Sequence, residues 1–387
     1  MDNSDNTRTC SDKYPEAQVI IMMMAMANKV ANDMYELSGK KVLVVGLGRT
    51  GLSVAKFLKL REAVVSVTDT RVESEIVLSE ELTALGVELQ SGGHVEESFK
   101  EAELIVVSPG VDSRIKYLND ARARGVEVIS DIELFFRYAD VPVIVIAGTN
   151  GKSTTTMLIG EILSGAGKRV FVGGNIGTPA TDYFLSEANV NYDICVLEVS
   201  SFHLETVGAA FKPLISVLLN ITEDHLDRYD DFDDYATTKF RVFENQSSSD
   251  YGVVNMGDSY IANRLREMQA LSHPTKVIGF SSAEVLTEGL YLKDDDIVFS
   301  AGEIKEHYPT DEFRLTGTPN KENAMAAIAV SKIMGISSDV VMRGLKNFMG
   351  LPHRMEFIRS IEGVSYINDS KSTNAGALLK AIEGFKG

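Results

Sequence analysis

The sequence is short of three things. Cysteine is nearly absent, with only Cys10 and Cys195 in 387 residues. That rules out a disulfide framework and fits a reducing, cytoplasmic compartment. Positive charge is scarce: 38 Lys and Arg stand against 55 Asp and Glu, a net charge of -17. A field of that sign repels nucleic acid and anionic membrane surfaces, so neither is expected as a partner. Any polyanionic ligand must then be held by a local device. Long apolar runs are missing too. The longest near the start, Val19 to Ala27, falls well below the roughly 20 residues that span a bilayer. Its Ala25-Met26-Ala27 end looks like a signal-cleavage site. However, Asp2, Asp5, Asp12 and Glu16 precede it with only Arg8 and Lys13, so the basic start of a signal peptide is lacking. Residues 1–38 are read as a poorly ordered polar extension, with Met34 a candidate start.

Apolar and chargeable residues are present in ordinary globular proportion, 44% hydrophobic and 24% charged. Disorder as the dominant state is excluded, and the length calls for two or three domains. From Lys40 the pattern alternates strand and helix. Lys40 to Val45 reads as a strand, Leu52 to Leu60 as a helix, and Ala63 to Thr68 as a second strand; Leu104 to Val107 and Val126 to Ile129 follow. This is a parallel α/β unit, Rossmann-like, over 39–140. A second α/β unit of the P-loop ATPase type spans 141–350. It has strands at Val143 to Ala147, Arg169 to Val172, Ile194 to Leu197, Leu214 to Leu219 and Gly252 to Asn255. Short polar-interrupted strands fill Leu271 to Leu315, and helical patterning returns from Glu322 to Met334 and from Ser338 to Phe348. A third unit starts at Leu351 with one strand, Gly363 to Asn368, and a helix, Ala375 to Phe385. Thirty-seven residues are too few for an α/β domain, which needs ~100, so 351–387 is expected to be the beginning of a truncated one.

The strongest chemical signal is Gly148-Thr149-Asn150-Gly151-Lys152-Ser153-Thr154, set between a strand and a helix. Glycines let backbone N–H groups turn toward an anion, and the helix N-terminus adds partial positive charge. Lys152 would reach the outer phosphates of a nucleotide, and Ser153 or Thr154 would ligate Mg²⁺. Three more polar motifs each follow an apolar strand: Gly173 to Gly177, Glu198 to Ser201, and Asn220 to Asp227. In a parallel sheet the strand ends share one edge, where ligands bind, so all four motifs should converge. Glu198 offers a hard oxygen to Mg²⁺, and His225 a nitrogen ligand or proton acceptor. His203 is read as structural. Lys239, in a helix expected over Tyr235 to Glu244, reads from its position alone as a solvated lysine.

Gly46-x-Gly48-x-x-Gly51 with Asp69 has the form of a dinucleotide fingerprint. It leaves open an NAD-dependent oxidoreductase, although Arg71 beside Asp69 would suit an anionic, nucleotide-linked substrate. The last set is Leu351 to Arg354 and Asn368 to Asn374. Arg354 is a candidate phosphate clamp and Asp369 a ribose ligand. Lys371 and Thr373 could face a transferring phosphoryl group, or the segment could be an ordinary polar loop.

Taken together, GTNGKSTTT, GGNIG, LEVSSFHLE, NITEDHLDRY, GLPHRME and INDSKSTN resemble the Mur ligases, the ATP-dependent amide ligases of bacterial cell-wall precursor synthesis. The likeness runs from about Gly39 to the end. VGLGRTGLS, TDTR and NDSKSTN point to the branch that adds D-glutamate to UDP-N-acetylmuramoyl-L-alanine. The resemblance implies a monomer of three domains that bind the UDP-sugar, ATP and the incoming amino acid. It carries over Arg49, Thr50, Thr70, Arg71 and Ser108 as UDP-sugar residues. Asn175, Ser200 and His225 match positions near the muramoyl-alanine end. Lys152, Ser153, Glu198 and His225 match ATP and Mg²⁺ positions, and Asn323, Arg354 and Asp369 surround the nucleotide. Lys371 and Thr373 are the third domain's contribution. Lys239 matches a carbamylated lysine, which would make it an anionic ligand of a second metal and replaces the solvated reading. The implied catalytic set is Lys152, His225, Lys239 and Lys371. Other members of the family, folylpolyglutamate-type ligases, or a nucleotide-binding protein that does not ligate remain as alternatives. With the third unit truncated, ligation by this chain is expected to be impaired.

Overall fold

The computed structural model describes residues 35–77, 79–186, 190–225, 227–270 and 273–372. Thr373, the helix expected from Ala375 and most of the N-terminal extension lie outside the described residues.

Five short apolar segments build the first sheet. β1 (Lys41–Val45) leads through α1 (Arg49–Leu60) to β2 (Val64–Thr68), then β3 (Glu88–Gln90) and β4 (Leu104–Val107). α2 (Lys116–Ala123) leads to β5 (Glu127–Ser130), and α3 (Asp131–Tyr138) carries the chain out. The order is β3-β2-β1-β4-β5, every pairing parallel. The position of β1 explains why it is unbroken Val and Leu after Lys41: Val42 and Val44 face one core cluster while Leu43 and Val45 face another. A strand covered on both faces has no polar side.

The second sheet starts with β6 (Val143–Ala147), α4 (Lys152–Gly165), β7 (Val170–Gly174), β8 (Ile194–Glu198), α5 (Ser201–Leu204) and β9 (Ile215–Leu218). It continues with α6 (Phe232–Phe240), β10 (Tyr251–Asn255), β11 (Lys276–Ser281), β12 (Gly289–Lys293), β13 (Asp296–Ala301) and β14 (Ile304–Pro309). α7 (Thr318–Ile333) and α8 (Ser338–Asn347) then close over one face. The order is β14-β13-β12-β11-β10-β9-β6-β8-β7, parallel from β7 to β12 and antiparallel at β13 and β14. β6 is central. Ile144 and Ile146 pack under α4 and α7, while Val143, Val145 and Ala147 pack on the opposite face. Each of these buried Val and Ile side chains contributes about 2 kcal/mol. β8 and β9 flank β6 on opposite sides, so the chain switches direction there. The crevice of a ligand site opens at such a switch point.

The segment after Leu351 departs from expectation. It holds two strands, β15 (Glu356–Ile361) and β16 (Val364–Asn368), paired as an antiparallel hairpin. β15 carries no strand signal in the sequence, because its polar and apolar residues do not alternate against a covered face: Phe357, Ile358 and Ile361 are exposed. Two helix starts sit earlier than the sequence pattern places them, α1 at Arg49 rather than Leu52 and α4 at Lys152 rather than Thr154. Both glycine motifs therefore run directly into a helix N-terminus.

Candidate active site

The glycine loop between β6 and α4 is held open by its neighbours. Gly151 caps α4 with φ of 84°, a left-handed conformation that favours glycine. A Cβ there would lie 2.3 Å from Asn323 Oδ1. The Asn150 amide donates to Asn220 Oδ1 at 2.8 Å, and Asn220 Nδ2 donates back to the Asn150 carbonyl at 3.0 Å. Thr149 Oγ1 lies 3.0 Å from the Tyr235 hydroxyl. These contacts satisfy the loop sideways, leaving the first turn of α4 facing the edge. Sequence reasoning gives neither Asn220 nor Tyr235 a role of its own. Asn220 is recognisable as the first polar residue past the buried run of β9; Tyr235 carries no such signal.

Four motifs meet at this edge, because β7, β8, β6 and β9 are adjacent and parallel. Ser153 Oγ donates to Glu198 Oε2 at 2.7 Å, and Asn175 Nδ2 donates to Glu198 Oε1 at 3.0 Å. Glu198 is 3% exposed, so both carboxylate oxygens are fixed. Lys152 Nζ donates to the Thr149 carbonyl at 2.7 Å. Burial lowers the pKa of Lys152, against the pull of Glu198.

Lys239 is the clearest departure from a solvated lysine. It sits in the last turn of α6 and is 2% exposed. Its ammonium donates to the Gly148 carbonyl at 2.9 Å and lies 4.5 Å from the Tyr235 ring centre. Burial, together with the charge of Lys152, pushes its pKa far below the lysine range, while Asp224 opposes. The position of Lys239 in sequence gives no hint of this; tertiary packing turns it inward.

From the third unit, Arg354 Nη2 reaches Ser153 Oγ at 3.1 Å. Asp369 accepts from the Met355 amide at 3.0 Å and from Ser372 Oγ at 2.6 Å. Asn150, Gly151, Thr154, Asn323, Arg354 and Asp369 line one cleft beside the loop. Lys371 is exposed, and its amide donates to the His353 carbonyl at 3.1 Å.

His225 lies on the loop after β9, next to Asp224. It is exposed, with φ of 54°, packs on Phe202 at 4.9 Å between ring centres, and has Nε2 3.7 Å from Asp224 Oδ2. Among the described residues no three His, Cys, Asp or Glu side chains gather as a metal cluster. Ser200 caps α5 and shares its hydroxyl with His203 Nδ1 at 2.9 Å. His203 is buried, with Nε2 3.3 Å from Asp131 Oδ1.

At the first sheet's edge, Gly46 makes the turn and Gly51 sits in the first turn of α1 against it. A Cβ on Gly51 would lie 2.0 Å from the Gly46 carbonyl oxygen. Asp69 accepts from the Leu47 amide at 2.7 Å and is gripped by Arg71 at 2.9 and 2.7 Å. Burial alone would raise its pKa, but Arg71 and the Leu47 amide hold it at about 2. The carboxylate that a dinucleotide reading would give to a ribose is thus spent bracing its own loop. Ser108 donates to the Gly46 carbonyl at 2.9 Å. Arg49, Thr50 and Thr70 lie at the same edge; Arg49 and Thr70 are exposed and Thr50 half-buried.

Comparison with known proteins matches this architecture part by part. The family described as Mur ligase middle domain matches residues 146–331, and Mur ligase MurD-like, N-terminal domain matches residues 40–130. The UDP-N-acetylmuramoylalanine–D-glutamate ligase of Geobacter metallireducens is 45% identical over 90% of this chain and 76% of its own length. That of Geotalea uraniireducens has the same identity and coverage. The chain belongs to the Mur ligase family. It is an enzyme, an ATP-dependent ligase. A solved murein peptide ligase of Psychrobacter arcticus shares the Mur ligase fold, with a TM-score of 0.55 at 20% identity over 89% of this chain and 76% of that one.

Proposed function

We propose that this chain joins D-glutamate to UDP-N-acetylmuramoyl-L-alanine at the expense of ATP, in peptidoglycan precursor synthesis. The observation that carries the reading is the meeting of four motifs at adjacent strand ends, with Lys152, Ser153, Glu198 and Lys239 at one edge. The identity to D-glutamate ligases supports the choice of amino acid.

In the first step the terminal L-alanine carboxylate attacks the γ-phosphorus of ATP and ADP leaves, giving an acyl phosphate. In the second the D-glutamate amine attacks that carbonyl carbon, and phosphate leaves as the amide forms. Both partners of the first step are anions, so cationic groups must offset their repulsion. Lys152 and the α4 N-terminus hold the phosphates, and Arg354 reaches the same hydroxyl as Glu198. Asn323 and Asp369 line the cleft for the rest of the nucleotide. Arg49, Thr50, Thr70, Arg71 and Ser108 take the UDP end; Asn175, Ser200 and His225 take the muramoyl-alanine end. Lys371 serves from the third unit, with Thr373, outside the described residues, assigned beside it by the resemblance.

The paired oxygens of Ser153 and Glu198 fit Mg²⁺, which prefers one or two protein oxygens plus substrate phosphates. When bound there it would neutralise charge on the transferring phosphoryl group. A second metal would use His225 and Lys239, the latter as a carbamate, since burial keeps its amine neutral enough to take up CO₂. The enzyme acts on small molecules, as a cytoplasmic monomer. No helix among the described residues is long and apolar enough to cross a membrane.

The test is ATP-dependent phosphate release with UDP-N-acetylmuramoyl-L-alanine and a panel of D- and L-amino acids. Turnover, however slow, is expected to be selective for D-glutamate. Equal turnover with L-amino acids, or none requiring the UDP-sugar, would overturn the reading.

A further inference from the structure

The motifs after β8 and β9 hold four side chains that the chemistry above leaves without a role: Phe202, Glu205, Arg228 and Tyr229. They lie together where the two halves of the molecule meet. Arg228 Nη2 donates to the Val111 carbonyl at 2.7 Å and to Glu205 Oε2 at 3.1 Å, and Nη1 donates to the Pro109 carbonyl at 3.4 Å. Glu205 Oε2 also accepts from Ser113 Oγ at 2.6 Å, and Oε1 from the Tyr229 hydroxyl at 2.8 Å. The Ser113 carbonyl is held in turn by Arg122 of α2 at 2.6 Å. The Arg228 guanidinium lies 3.8 Å from the centre of the Phe202 ring, whose other neighbours are His225 and Tyr229. The Arg228 amide donates to the His225 carbonyl at 2.9 Å. The side chains of Arg228 and Glu205 are 13% and 12% exposed.

We infer that Arg228 and Glu205 form a positioning clamp. It fixes the turn Pro109 to Ser113, which directly follows Ser108 at the first sheet's edge, against the loop that carries Asp224 and His225 at the second. The carboxylate of an acceptor held by one half must meet a phosphate held by the other, and errors of about 1 Å are expensive in such a reaction. The clamp sets that separation. Only arginine can serve, because one planar fork must reach two carbonyls and a carboxylate together; a lysine keeps the charge but not the reach. Arg228 and Glu205 are positioning residues, not groups that touch the reacting atoms. The inference borrows from the proposed function only the identity of the two ligands.

Two measurements on Arg228→Lys test it. The first uses ligand-free protein and hydrogen exchange. Segments 108–113 and 221–231 are expected to exchange about tenfold faster or more, with the strands of both sheets unchanged. Unaltered exchange in either segment, or faster exchange throughout the central sheet, would overturn the clamp. The second is calorimetry with UDP-N-acetylmuramoyl-L-alanine and a non-hydrolysable ATP analogue. In the parent chain each ligand should tighten the other by about fivefold or more. In Arg228→Lys that factor should fall to near one, while each ligand alone binds as before. Coupling absent from the parent chain, or intact in the variant, would refute the clamp. A parent chain that binds neither ligand would sink the functional reading instead, and the exchange measurement would still decide the clamp. Ser113→Ala removes a single bond and should shift both readouts in the same direction by less; if Arg228→Lys fails to fold, that variant decides.

Discussion

Two lysines, half-buried Lys152 and buried Lys239, share the phosphate-loop edge and meet opposite demands. Lys152 must be a cation to hold phosphates. Lys152→Ala should lower ATP affinity by roughly 10- to 100-fold, the value of a charge-assisted hydrogen bond, and leave UDP-sugar binding intact. Calorimetry with each ligand checks this. Lys239, deeper and beside Lys152, is driven toward the neutral amine. In ¹³C-labelled bicarbonate it should give a carbamate resonance that Lys239→Gln lacks, and a parent chain without that resonance would contradict the modified-lysine reading. Asp69 titrates the other way. Its folded pKa is about 2 against 3.8 for the free group, so its stabilising contribution is complete above pH 3.8 and is lost as pH falls through about 2. Asp69→Asn should flatten the acid limb of a stability curve between those values.

Elements place these residues through turns that tolerate no side chain. At Gly51 in the first turn of α1, Gly151 in the β6–α4 turn and Gly174 at the end of β7, a Cβ would sit only 2.0 to 2.3 Å from backbone or from a buried side-chain amide. Gly51→Ala should therefore destabilise by about 1–3 kcal/mol. It should weaken binding of the UDP-sugar while leaving the affinity for ATP as it was, because the second sheet's edge is built separately. Thermal melting and ligand titration together would check both halves of that expectation.

At the scale of the molecule, the two sheets are tied by buried polar contacts as well as by apolar packing. Glu133 of α3 accepts from the amides of Gly208, Ala210 and Phe211 at 2.8, 3.2 and 3.0 Å. Ser53 of α1 meets Thr181 and Asp182 at 2.6 and 2.5 Å. Glu133→Gln leaves an amide group against backbone donors and should cost about 2 kcal/mol. Calorimetry should show the first sheet melting ahead of the second; one unchanged transition would show that the Glu133 contacts are not needed to couple them.

Local sequence determined the parallel α/β character, the apolar strand runs of both sheets apart from the short β3, and the glycine loops. Those features depend on hydrophobic period and on glycine's freedom of φ, which neighbouring residues reveal. The convergence of Gly148, Gly173, Glu198 and Asn220 followed from strand direction alone. Tertiary structure decided what depends on distance in space rather than in chain. It buried Lys239 against Gly148 and spent Asp69 on its own loop. It packed His225 against Phe202. It also joined Arg228 to carbonyls more than a hundred residues away. A side chain's solvation and charge are set by what packs around it, and no local pattern specifies that.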